Sequence, residues 1–254
     1  MFNFSYDKRV LYIVLAILVV ISLTNLMTSP GALLSILYGL PGVLIAITFH
    51  EFAHGFAAYK LGDNTAKMEG RLSLNPFAHL DPIGTLMLVF LGIGWGKPVH
   101  VNPSNYTRKI SMEKGEAIVS AAGPIMNIIL AFVFAIITFV VANVTNVTIS
   151  ITDFGIYMSA TNTTLEVIFN ILISVVTINV GLGIFNLIPL PPLDGSKIIM
   201  PFLPYKAKQF FINNEQIFYL IFIVLWISGL AGRIISPAIS WLATGIMNIC
   251  SLIL

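Results

Sequence analysis

His50, Glu51 and His54 stand together in the pentapeptide HEFAH. On a helix, residues four apart share a face. Both imidazoles can therefore bind one zinc ion, and Glu51 between them can serve as general base toward a water that the metal activates. The pentapeptide lies in an apolar run that begins near Ala32, which puts all three groups inside a membrane-spanning element. An ionisable side chain at mid-membrane depth costs about 2.5–3.5 kcal/mol on insertion scales. Three such groups in one pentapeptide call for a compensating partner, most simply a metal ion. The bland alternative, three polar side chains packed in a helix bundle without metal, leaves that cost uncovered.

A catalytic zinc takes three protein ligands and keeps one position open, so HEFAH needs a further donor. The extended pattern HExxHxxGxxH is ruled out, because Ala57 and Lys60 stand where it requires Gly and His. The lone Cys250 excludes both an internal disulfide and a thiolate-rich site. The remaining donors worth weighing are Glu69, His79, His100 and Asp194. Only Asp194 closes a hydrophobic span, in the turn Pro189-Leu-Pro-Pro-Leu-Asp-Gly195, where the prolines break the helix and direct a carboxylate inward. His79 and His100 fall in a Pro-rich stretch, where a lone His is more often structural. Asp81-Pro82 reads as an N-cap with Pro at N1.

The elements that must position these groups are membrane spans. Hydrophobic residues make up 57% of the 254 and charged residues 9%, with a mean hydropathy of +0.93, far from the roughly 25% charged of soluble domains. The expected class is an all-α integral membrane protein. Six segments have the length, or nearly the length, to cross a core of about 30 Å: Val10 to Met27, Ala32 to Ala58, Ala117 to Asn143, Leu165 to Leu190, Gln216 to Gly232 and Ile234 to Leu254. The first has Lys8-Arg9 before it but no A-x-A cleavage pattern after it, so it reads as a retained anchor. Between the second and third, the Gly-rich Ile83 to Gly96 is fourteen residues long, which suits a re-entrant or interfacial hairpin element rather than a span. The expected division is an N-terminal anchor at 1–31, a core at 32–202 and a C-terminal pair of spans at 203–254.

Basic residues set the expected orientation. With the N-terminus cytoplasmic, Lys8, Arg9, the seven from Lys60 to Lys114, and Lys197, Lys206 and Lys208 share the cytoplasmic side, leaving Arg233 outside. The chemistry then sits in the cytoplasmic third of the bilayer of a multi-pass cell-membrane protein. The basic residues flank spans rather than forming a patch, so nucleic acid is not an expected partner. Three N-x-T sequons occur in the outer loop from Asn143 to Thr164 and are expected to be chance in an Asn/Thr-rich segment.

HEFAH, followed by FNLIPLPPLDG from Phe185 to Gly195, resembles the site-2 protease family of intramembrane zinc metalloproteases. RLSLNPFAHLDPIGTL (Arg71 to Leu86), GWGKPVHVNP (Gly94 to Pro103) and AAGPIMN (Ala121 to Asn127) resemble the same family in the same order. The resemblance runs from Ala32 to Pro201. It implies one zinc per chain held by His50, His54 and Asp194, with Glu51 as catalytic acid and base, and Asn127 and Asn186 lining the site to bind substrate. It also implies a transmembrane protein as substrate, cleaved in or near its span. The absence of an insertion after HEFAH and of sequence after Leu254 gives the expectation of a compact form without PDZ or CBS domains. Two other classes remain in view: a metal-ion transporter, which would spread acidic residues and His through several spans, and an inert binder of membrane proteins, which has no use for Glu51.

Overall fold

The structure is a computed structural model. It describes residue 24 and residues 30–81, 84–85, 96–107, 109–152, 155–160 and 162–253. The expected anchor at Val10 to Met27 lies outside the described residues except for Thr24, and so does most of the element expected at Ile83 to Gly96.

Helix α1 spans Pro30–Lys60. Two single-turn helices follow, α2 at Thr65–Met68 and α3 at Pro76–His79, the latter capped by the Asn75 side chain on the Phe77 N–H with Pro76 at its first position. A 3-10 turn at Pro103–Asn105 precedes α4, Met112–Thr145, which starts from a Ser111 cap. Strands β1 (Thr148–Thr152) and β2 (Gly155–Ser159) pair antiparallel. Then come α5 (Thr163–Asn186), α6 (Asp194–Ile199), a 3-10 turn at Met200–Phe202, α7 (Tyr205–Asn213), α8 (Glu215–Ile227) and α9 (Leu230–Ile253).

Among the described residues four helices are long and apolar enough to cross a membrane: 28 residues of α1, all 34 of α4, and the 24 each of α5 and α9. The helical membrane class stands. The segment expected as a fifth span is the 13-residue α8, about 20 Å at 1.5 Å per residue. Gly229, at φ +70, separates it from α9, because that left-handed backbone suits glycine and ends a helix. The fourth span stops at Asn186 rather than Leu190, since Pro189 cannot continue the ladder. The loop between α4 and α5 carries the β1–β2 hairpin, for which the alternation Thr148-Ile-Ser-Ile-Thr152 is the cause: Ile149 and Ile151 face the bundle while the hydroxyl residues are exposed.

Helices α1, α4 and α5 approach backbone to backbone at glycines, as membrane helices do without a hydrophobic drive between them. A Cβ on Gly42 of α1 would lie 3.1 Å from the Val175 Cα of α5, and one on Gly183 of α5 would lie 3.2 Å from the Pro124 carbonyl of α4. Toward the hairpin end, Ala131, Ala135 and Phe139 of α4, Val176 and Val180 of α5, and Ala243, Ile246, Met247 and Cys250 of α9 form one buried cluster. Cys250 is thus a packed residue. At the other end, Ala58, Tyr106 and Val119 form a small core under residues 96–107.

Candidate metal centre

His50 and His54 lie one turn apart on α1, with their Nε2 atoms 3.0 Å from each other. Asp194 opens α6 and brings Oδ2 to 3.1 Å from His50 Nε2 and 3.3 Å from His54 Nε2. The turn that delivers it runs from the end of α5 through Pro189 to Pro192, with Pro191–Pro192 cis. It folds back so tightly that a Cβ on Gly195 would overlap the Leu187 and Ile188 carbonyl oxygens. The glycine of the LDG motif is therefore a packing requirement of the turn.

The outer face of each imidazole is fixed. His54 Nδ1 donates to the Val119 carbonyl at 2.7 Å, and His50 Nδ1 donates to Asn127 Oδ1 at 2.6 Å. Both acceptors are carbonyl oxygens, so both Nδ1 atoms carry hydrogen. In the neutral rings both Nε2 atoms then present lone pairs toward each other and toward a carboxylate oxygen. Three electron-rich atoms converge with no donor among them, and Asp194 Oδ2 is buried without a hydrogen-bond partner among the described residues. A cation resolves that arrangement. Two neutral imidazoles and one carboxylate are a common donor set for catalytic zinc, each His donating its other N–H to a carbonyl. Among the described residues this is the one group of three or more such side chains placed to hold a metal ion.

Glu51 reaches the segment after Gly96. Its Oε2 accepts the Val99 N–H at 2.9 Å. A Cβ on Gly96 would lie 2.7 Å from the Ile47 side chain, so the glycine lets this segment run against α1. Gly96 bridges Leu80, and Lys97 N–H donates to the His79 carbonyl at 2.7 Å. The buried Arg71 guanidinium donates to the carbonyls of Ala78, Lys97 and Pro98. One cation thus locks α3 to the segment that carries the Val99 amide.

Of the residues expected in the site, His50, His54 and Asp194 come together and Glu51 lies beside them. Asn127 is fully buried behind His50, and its amide hydrogens go to Ala46 O at 3.1 Å and Asn179 Oδ1 at 3.0 Å. Asn186, in the last turn of α5, donates to the Leu182 carbonyl at 3.0 Å. His79 is fully buried and its Nε2 donates to the Ser73 carbonyl. His100 is exposed and pairs with Glu69 at 3.0 Å. The Asp81 side chain accepts the Gly84 N–H at 2.7 Å, as a cap does. The sequence reading assigned no role to Gly123 of AAGPIMN, over which both imidazole rings lie, to the Val119 carbonyl, to the Val99 amide or to Asn179. For Asn179 a signal existed: an amide in an otherwise apolar span.

Outside the helices, burial pushes the Tyr106 hydroxyl up to about 12, with Glu116 and Asp63 acting in the same direction. It stays neutral against Val119.

Residues 38–229 match Peptidase family M50. The chain is 35% identical over 199 residues to "Putative zinc metalloprotease YwhC" of Bacillus subtilis, covering 78% of this chain and 84% of that protein. It is 26% identical over 201 residues to "Putative zinc metalloprotease Rip2" of Mycolicibacterium smegmatis, covering 79% of this chain and 70% of that protein. No solved structure matches it.

Proposed function

The chain belongs to peptidase family M50, and from that premise we propose that it is an intramembrane zinc metalloprotease of the site-2 type. It hydrolyses a peptide bond in or near a transmembrane segment of membrane-protein substrates. The observation that carries this reading is the meeting of His50 Nε2, His54 Nε2 and Asp194 Oδ2, all within 4.8 Å of one another. In the proposal these three side chains hold one zinc ion. When bound, zinc supplies Lewis acidity at the scissile carbonyl and toward the attacking water. Glu51 takes a proton from that water as it attacks and passes it to the leaving amide nitrogen. The Val99 N–H holds one carboxylate oxygen of Glu51, which leaves Oε1 for the proton.

A helical substrate shields its carbonyls in its own hydrogen bonds and must unwind before attack. In this reading the unwound stretch pairs by strand addition along the segment Gly92 to Val101. Asn127, expected to touch substrate, is better used in this reading as the group that orients His50. Asn186, at the mouth of the Pro-broken turn, remains the candidate contact to substrate. For topology we keep six spans, an interfacial element at Ile83 to Gly96, the division at 31 and 202, and a cytoplasmic N-terminus with the site in the cytoplasmic third of a cell membrane.

The test is elemental analysis of the detergent-purified protein. About one zinc per chain is expected in the wild type and none in His54→Ala or Asp194→Ala. Glu51→Gln should keep its zinc and lose cleavage of a membrane substrate. Full zinc in Asp194→Ala, or turnover by Glu51→Gln, would overturn the assignment. A transporter or an inert binder would instead keep its activity when only the base is replaced.

A further inference from the structure

Asn179 belongs to none of the sequence motifs, yet it is fully buried at mid-span on α5. Its Nδ2 donates to the Val175 carbonyl at 2.9 Å, an acceptor only, so its Oδ1 must point the other way. That oxygen accepts an Asn127 amide hydrogen at 3.0 Å, and the second Asn127 hydrogen goes to the Ala46 carbonyl of α1 at 3.1 Å. With both Asn127 hydrogens committed, its Oδ1 can face only His50 Nδ1, at 2.6 Å. His50 Nδ1 must then be the protonated nitrogen, and Nε2 carries the lone pair that faces Asp194.

We propose that Asn179 is a positioning residue for the metal centre, acting through Asn127 to fix the ring orientation and tautomer of His50. The inference rests on the zinc-protease reading. The relay also ties together the helices that supply the ligands: α1 carries His50, and α5 leads into the turn that delivers Asp194. A flip of the Asn127 amide would set its hydrogens against His50 Nδ1–H, leave the buried Asn179 Oδ1 without its donor, and take from the Ala46 carbonyl the bond it accepts beside its helix bond. Each such loss is costly inside a dry bundle. Removing the Asn179 acceptor takes away one of the two restraints on that amide, so Asn179 acts on the metal at one remove.

The experiment is a double-mutant cycle on the Kd for zinc, read by competition with a chromophoric chelator on the full-length protein in detergent. Asn127→Leu should weaken zinc binding by about ten-fold or more, the usual effect of removing a group that orients a ligating His. Asn179→Leu should weaken it by about five-fold. The double variant should bind within about two-fold of Asn127→Leu, because Asn179 acts through Asn127. Thr138→Val, an equally buried polar-to-apolar change further along α4, should leave the Kd unchanged. Asn179→Asp keeps an acceptor toward Asn127 and, as the neutral acid, a donor toward Val175. It should bind zinc within about two-fold of wild type and provides the comparison if Asn179→Leu does not fold. A wild-type Kd in Asn179→Leu, multiplying effects in the double variant, or Asn179→Asp as weak as Asn127→Leu overturns the inference while wild-type zinc binding stands. A wild type that binds no zinc overturns the zinc-protease reading, and this inference with it.

Discussion

A Cβ on Gly123 would lie 2.5 Å from His54 Nε2 and 2.7 Å from His50 Nε2, so the α4 backbone itself forms the floor of the two rings. Val119, Gly123 and Asn127 recur every four residues on one face of α4 and meet His54, both rings and His50 respectively. In an open helix Gly→Ala would stabilise by up to about 1 kcal/mol. Here the methyl has no room, and overpacking costs about 1–3 kcal/mol. Gly123→Ala should therefore lose most of its zinc while keeping its helical content, read by metal analysis beside circular dichroism. Full zinc occupancy would contradict the close approach.

Among the described residues the Val99 amide is the one group that donates to Glu51. A hydrogen bond to a charged acceptor contributes about 1.5–3 kcal/mol. Val99→Pro removes that donor and leaves His50, His54 and Asp194 untouched. Zinc content should match wild type, while kcat falls by about ten-fold or more. Equal losses of zinc and turnover would mean that the segment after Gly96 supports the whole centre rather than the base.

How much was legible in the sequence follows from which physics each feature obeys. HEFAH and the LDG turn announce themselves because ligand chemistry dictates residue type and helical spacing dictates two of the three positions. Spans α1, α4, α5 and α9 are legible because a bilayer demands long apolar runs. The β1–β2 hairpin is masked by the polarity of the loop that contains it, although Ile149 and Ile151 alternate with hydroxyl residues. Asn179 and Gly123 were hidden for a different reason. Their roles depend on which helix face meets which, and no local pattern states that Asn127 can reach His50 on one side and Asn179 on the other.

Two ion pairs join α4 to the segment after the LDG turn: Glu116 with Lys197 at 3.5 Å and Glu113 with Lys208 at 2.5 Å. The first has half-exposed side chains on both partners, and the second has an exposed glutamate. Exposed pairs of this kind contribute about 0–1 kcal/mol. Glu113→Gln and Glu116→Gln should each leave zinc content unchanged and shift the thermal midpoint by about 4 °C at most. A lost metal centre in either would show that Asp194 is held by these pairs rather than by the glycine-tight turn.

Asp63 carries the last prediction, because it holds the segment bearing Val99 against the end of α1. It is fully buried just past Lys60 and accepts from the Asn102 N–H at 2.6 Å, Asn105 Nδ2 at 2.8 Å, and the Thr65 N–H and hydroxyl at 3.1 and 2.5 Å. Burial pushes its carboxyl up, and the hydrogen bonds from Asn102, Asn105 and Thr65 together outweigh it, so its pKa lies below the usual carboxylate value. A folded-state pKa below the unfolded one means that the ionised form stabilises the fold. That contribution is present above the unfolded pKa of about 3.9 and is lost as pH falls through the folded value. Asp63→Asn keeps one acceptor oxygen but turns an N–H₂ toward the Asn102 amide. It should destabilise the protein by about 2 kcal/mol at neutral pH. The gap in thermal midpoint between wild type and variant should be widest at pH 6–7 and close as both are brought below about pH 4. A gap independent of pH would mean that the cost lies in packing, not in the carboxylate's charge.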